Sequence, residues 1–224
     1  MAFPQTILAR VLPFALYILF LALADFAAPL MNSIGVGEKW LYAIRVVTVS
    51  VVILYFWRSY SELKVQPTLN NIVTAVAAGL LVFLLWILPY PEWTTLGADA
   101  KSVDPTLGQD ALTTFWWLSI RILGAALVVP VMEELFWRSF VMRWLDNKDF
   151  LNVSPEKVTM FAFIASSILF ALEHQLWLAG LLAGLIYAQL YKVYKNLWVP
   201  IISHAVTNGL LGVWVVFTGN WQYW

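Results

Sequence analysis

The chain has no cysteine among its 224 residues. Disulfides, thiol nucleophiles and thiolate metal sites are therefore excluded. Charge is scarce as well: 12% of residues are charged, thirteen of each sign, for a formal net charge of zero. No basic excess is left for nucleic acid. Only two histidines occur, His174 and His204, so any imidazole chemistry uses one or both. Residues 1–6 carry no basic residue and no small-residue cleavage pattern follows. The first apolar run thus reads as a membrane span and not as a signal peptide. Internal repeats, low-complexity tracts and domain boundaries are absent, so 1–224 reads as a single membrane domain.

What is abundant is apolar: 62% of residues are hydrophobic and thirteen are tryptophan. Such a composition belongs to a polytopic membrane protein, and the expected fold is an all-α bundle. About seven apolar segments approach the ~20 residues a bilayer needs: 7–30, 39–57, 70–90, 111–145, 158–174, 176–194 and 197–217. Trp40, Trp57, Trp93, Trp144 and Trp198 fall near their ends, as interfacial anchors do. With seven alternating spans, Arg10, Arg58, Lys64, Arg143, Lys148, Lys157, Lys192 and Lys195 share one side, opposite an acidic loop at 91–110 with Glu92, Asp99, Asp104 and Asp110. The positive-inside rule then puts the N-terminus in the cytoplasm, with a bacterial inner membrane as the expected location. Gly180 and Gly184, four apart, predict close approach of another helix.

The chemistry gathers at Pro130-Val131-Met132-Glu133-Glu134-Leu135-Phe136-Trp137-Arg138. A charge at the bilayer centre costs about 2.5–3.5 kcal/mol, so such groups are kept with a partner or a task. Glu134 and Arg138 are four apart and share a helix face, where they can pair. Glu133 points about 100° away from Glu134 and has no obvious local partner. Pro130 is expected to bend the helix close by. Glu134 and Arg138 therefore read as support and Glu133 as the reactive carboxylate. Asp25, Arg45 and Arg121 also lie in apolar segments, without an evident partner.

Two further pairs share a face at a spacing of four: Phe170 with His174, and His204 with Asn208. Buried polar groups in lipid need partners, and the nearest candidates are one another, so the three spans are expected to converge. Glutamate and neutral histidine can hold and deprotonate a water. Histidine and asparagine on one face can donate hydrogen bonds to an oxyanion. The set suffices for amide hydrolysis without a serine or cysteine nucleophile and without a cofactor. It also has zinc-ligand types, but His-Glu-x-x-His is absent, so a divalent metal is the weaker reading. Depth argues against easy convergence. Glu133 lies about 15 Å along its helix from Arg143, and His174 about 24 Å from Val158. Agreement requires the fourth span to project beyond the surface, or the fifth to start outside it or tilt.

Glu133-Glu134-x-x-x-Arg138, Phe170-x-x-x-His174 and His204-x-x-x-Asn208, in this order, resemble the CPBP (CAAX-protease and bacteriocin-processing, or Abi) membrane proteins, relatives of the type II CAAX prenyl endopeptidases. The likeness covers about 115–215 and includes Pro130 and the run from Lys195 to His204. It implies an intramembrane glutamate-dependent peptidase with a helical core. Glu133 and His174 would activate water, His204 and Asn208 would form the oxyanion site, and Glu134 and Arg138 would support them. The family's glycine after the motif arginine is Ser139 here. Residues 1–110 carry no readable family signal. The implied substrate is a membrane-associated protein or peptide, such as a CAAX-like or sorting tail. Two other readings compete: a non-catalytic binding, scaffold or immunity protein, which would not need all four polar positions, and a proton-coupled transporter, against which the lack of inverted repeats counts.

Overall fold

The computed structural model describes residues 4–33, 35, 37, 40–96 and 104–223. Within the acidic loop, 97–103, Asp99 included, lies outside them, as does the start of the 1–6 stretch. The chain runs through α1 (Gln5–Ala22), α2 (Ala24–Ser33), α3 (Leu41–Tyr55), α4 (Leu69–Trp86), α5 (Ala111–Trp144), α6 (Met160–Ala171), α7 (Trp177–Tyr194) and α8 (Trp198–Thr218), joined by short 3-10 turns. Among the described residues, β pairing is confined to one isolated antiparallel bridge, Thr95 to Leu176. The helices α1, α4, α5 and α8 are long and apolar enough to cross a membrane, and α3 and α6 are shorter apolar helices. The protein is an integral membrane protein built as a helical bundle. Each expected span has a helical counterpart. The first is broken at Leu23, where Asp25 in the opening turn of α2 suits a fresh helix N-terminus.

Polar side chains are buried among an apolar core, and large apolar ones cover much of the outside. Arg10, Glu134, Arg138 and Ser139 are buried, while Leu54, Leu127 and Phe217 are exposed, as suits helices whose outer faces meet lipid. The helices α6 and α7 meet at the two glycines. A Cβ on Gly180 would lie 3.2 Å from Ala171 Cα and 3.3 Å from His174 Cβ, and one on Gly184 only 3.1 Å from the Ser167 carbonyl. This is the close approach that the Gly180/Gly184 spacing predicts.

The helix α5 is irregular. Two π-turns, Gly124–Val128 and Leu135–Val141, bracket the α-helical turn Val129–Glu134. The irregularity expected at Pro130 is thus a widened turn just before it. Val129 N–H reaches the Gly124 carbonyl, five residues back. In that register Pro130 would serve the Ala125 carbonyl, but proline has no N–H to give.

The depth conflict between α5 and α6 resolves at the loop joining them. Thr159 caps α6 and also binds Asp146 through its N–H at 2.8 Å and its hydroxyl at 2.6 Å. Asp146 lies just past the end of α5, so this contact sets the end of α5 level with the start of α6. From Asp146 to Glu133 is about 20 Å along α5, and from Thr159 to Ala171 about 18 Å along α6. Residues 150–157 are 3-10 turns and loop, and add no depth.

The N-terminal helices are tied to α5 by a buried ionic cluster. Glu62 pairs with Arg10 at 2.5 Å and with Arg143 at 2.7 Å. Ser139 accepts from Arg10 at 3.0 Å and from Arg143 at 2.8 Å, and its own hydroxyl donates to Glu62. Ser139, which follows the motif arginine, is therefore a member of this cluster. Burial alone would raise the Glu62 carboxyl. The hydrogen bond and charge of Arg10, with help from Ser139, outweigh it and hold the group down at about 2.

Candidate active site

Glu133 and Glu134 sit on the α-helical turn between the two π-turns, a frequent setting for functional residues. Glu134 is fully buried and pairs with Arg138 at 3.2 Å, as the spacing of four predicts. Arg138 is held further by the Phe170 ring, 4.2 Å beneath its guanidinium carbon, and by the Gly184 carbonyl at 3.4 Å. One reach of Glu134 is not evident in the sequence. Its Oε1 lies 3.0 Å from His204 Nδ1, which orients that imidazole from the side away from Glu133. His204 Nε2 then faces Glu133 Oε2 at 3.9 Å, and Tyr187 stacks on the ring at 4.9 Å with 19° between planes. The Tyr187 hydroxyl donates to Thr207, which donates to backbone carbonyls in turn.

Glu133 Oε2 is buried without a hydrogen-bond partner among the described residues. An oxygen of Glu133, an oxygen of Glu173 and a ring nitrogen of His174 all lie within 4.8 Å of one another. His174 Nδ1 sits 2.8 Å from the Phe170 carbonyl. A bare carbonyl can only accept, so Nδ1 carries the proton and Nε2 is left as the free acceptor. Trp137 donates its indole N–H to Glu173 at 2.8 Å. Glu133, Glu173 and His174 are donors that can hold a water or a divalent cation.

Glu173 and Trp137 are absent from the sequence-derived set. On a continuous helix Glu173 would point about 100° from His174. In the structure α6 ends at Ala171, and a turn carries both residues to the same place. No spacing rule reports such a turn.

Asn208 donates its amide to the Ala125 carbonyl at 2.9 Å, the group that Pro130 leaves without a partner. One amide hydrogen is thereby fixed and the other remains. Glu133, His174, His204 and Asn208 all line one cavity of about 240 Å³, with Tyr17, Tyr42, Arg45 and Arg121 further along its wall. The first 110 residues thus supply part of the wall.

Comparison with curated proteins and with solved structures yields no match. Residues 114–210, which contain every residue from Glu133 to Asn208 just described, match the model of the family described as type II CAAX prenyl endopeptidase Rce1-like.

Proposed function

We propose that this protein is an intramembrane endopeptidase that hydrolyses a peptide bond of a membrane-associated protein or peptide with a water held by Glu133 and His174. The observation that carries the reading is the free carboxylate oxygen of Glu133 beside His174 and Glu173, in a cavity that His204 and Asn208 also line. Glu133 takes one proton from the water while the remaining O–H donates a hydrogen bond to His174 Nε2. The hydroxide adds to the scissile carbonyl carbon, and the carbonyl oxygen becomes an oxyanion. His204 Nε2 and the second amide hydrogen of Asn208 face that oxygen. Collapse breaks the C–N bond, and the proton held by Glu133 passes to the departing amine.

One requirement follows from the hydrogen bonds. With Nδ1 on the Glu134 carboxylate, His204 donates from Nε2 only as an imidazolium. Glu134 then serves as its counter-ion as well as the partner of Arg138. The substrate fits the family's name as a CAAX-type or similar C-terminal tail, prenylated or not. Purified protein should cleave peptide substrates in detergent, and Glu133→Gln, which keeps the shape and removes the base, should abolish turnover with unchanged thermal unfolding. Normal turnover by that variant would remove Glu133 from the chemistry.

A further inference from the structure

Glu173 takes no step in the hydrolysis written above. Yet one of its oxygens, the free oxygen of Glu133 and a ring nitrogen of His174 lie within 4.8 Å of one another. A single point can therefore lie about 2.8 Å from all three, a hydrogen-bond length. The three residues differ in where they stand. Glu133 and His174 line the cavity, and Glu133 is only 7% exposed. Glu173 is exposed and lies outside the cavity wall. Its carboxylate thus reaches the reacting pair from a side other than the cavity.

That side is the end of a span. The apolar helix α6 stops at Ala171. The turn after it is held by the loop that follows α4: Leu96 N–H donates to the Gln175 carbonyl at 2.7 Å, and Trp177 donates its indole N–H to the Trp93 carbonyl at 3.3 Å. The rings of Trp93 and Trp177 are 5.9 Å apart, a pairing that suits a membrane surface. An exposed carboxylate is costly in lipid, which puts this turn where water begins. Trp137 holds one Glu173 oxygen at 2.8 Å, and a carboxylate has a second oxygen to accept from water. Each turnover consumes one water, and a peptide lying in the cavity closes that route to solvent.

We propose that Glu173 is the water port of the site: water enters past its carboxylate, from outside the cavity, and passes to Glu133 and His174. A water has two hydrogens and those two residues take both, so Glu173 holds the water during entry and then yields it. The inference rests on the peptidase reading, but the labelling part of its test does not. The chain has no cysteine, so Glu173→Cys carries the protein's one thiol. In zwitterionic nanodiscs, methanethiosulfonate ethylsulfonate is charged and reacts with thiolate in water. It should modify that thiol at least about ten-fold faster than the thiol of Leu127→Cys, a position 60% exposed on the apolar outside of α5.

Equal rates place Glu173 against lipid and overturn the port. Narrowing the cavity with Ala125→Trp or, where that variant unfolds, Leu211→Trp should leave the Glu173→Cys rate unchanged. A fall shows that the reagent arrives through the cavity and refutes a separate port. In the active protein, Glu173→Leu should lower kcat about ten- to a hundred-fold with KM unchanged. Glu173→Gln still accepts from Trp137 and from water and should recover most of that loss. A change in KM alone makes Glu173 a substrate contact, and a Gln variant as slow as the Leu one makes its charge the active feature. Either result removes the port. If no peptide is cleaved at all, the peptidase reading fails, and the thiol rates still decide whether water enters there.

Discussion

Glu133 and Glu134 are adjacent and do different things because each meets a different neighbour. Glu134 is enclosed between Arg138 and His204, whereas Glu133 keeps a buried oxygen free. If Glu134 holds the charge on His204, the two act as one unit. His204→Ala should then cost about 100–1,000-fold in turnover, as loss of an oxyanion donor does. Glu134→Gln should cost a similar factor, and the double variant no more than the worse single one. Losses that multiply would show that the two act separately. Arg138→Ala leaves a buried carboxylate short of its partner and should lower thermal stability along with activity. A stable but slow variant would contradict that supporting role. At this scale the sequence is informative about the ion pair: the spacing of four joins Glu134 to Arg138 even though the intervening turn is widened. It is silent on Glu173, whose position depends on where α6 stops.

The helices position the site through their defects. Pro130 removes an N–H, a π-turn absorbs the change, and Asn208 of α8 answers the stranded Ala125 carbonyl. Asn208→Asp cannot donate there and should lower stability by about 1–3 kcal/mol, the cost of an unsatisfied buried group. In a Pro130→Ala background the helix recovers an N–H and the penalty should shrink, which thermal unfolding of the four proteins would reveal. An unchanged penalty would separate Asn208 from the proline. The spans themselves are legible from hydropathy, because lipid demands long apolar helices. Relative depth is not legible, because it is fixed by one polar contact, Thr159 with Asp146, between residues that look like ordinary loop.

For the molecule as a whole, the Arg10–Glu62–Ser139–Arg143 cluster is the clasp between the N-terminal helices and the rest. The Glu62 carboxyl falls from its ordinary 4.5 to about 2 on folding. A depressed carboxylate stabilises the fold fully above its unfolded value, and that contribution is lost as pH falls through the folded one. It amounts to about 3 kcal/mol by linkage. Thermal stability should therefore be level above about pH 5 and decline between 4.5 and 2, and Glu62→Gln should be less stable at neutral pH with a flatter acid limb. An identical acid limb in that variant would place the sensitivity elsewhere. The clasp has a further consequence. Tyr17, Tyr42 and Arg45 reach the cavity from outside the stretch 114–210 that matches the family. On the proposed peptidase reading, the catalytic residues and this part of the cavity wall therefore lie on separate lengths of chain. Exchanging residues 1–96 for those of a relative, with the clasp kept, would graft a new substrate preference onto unaltered chemistry.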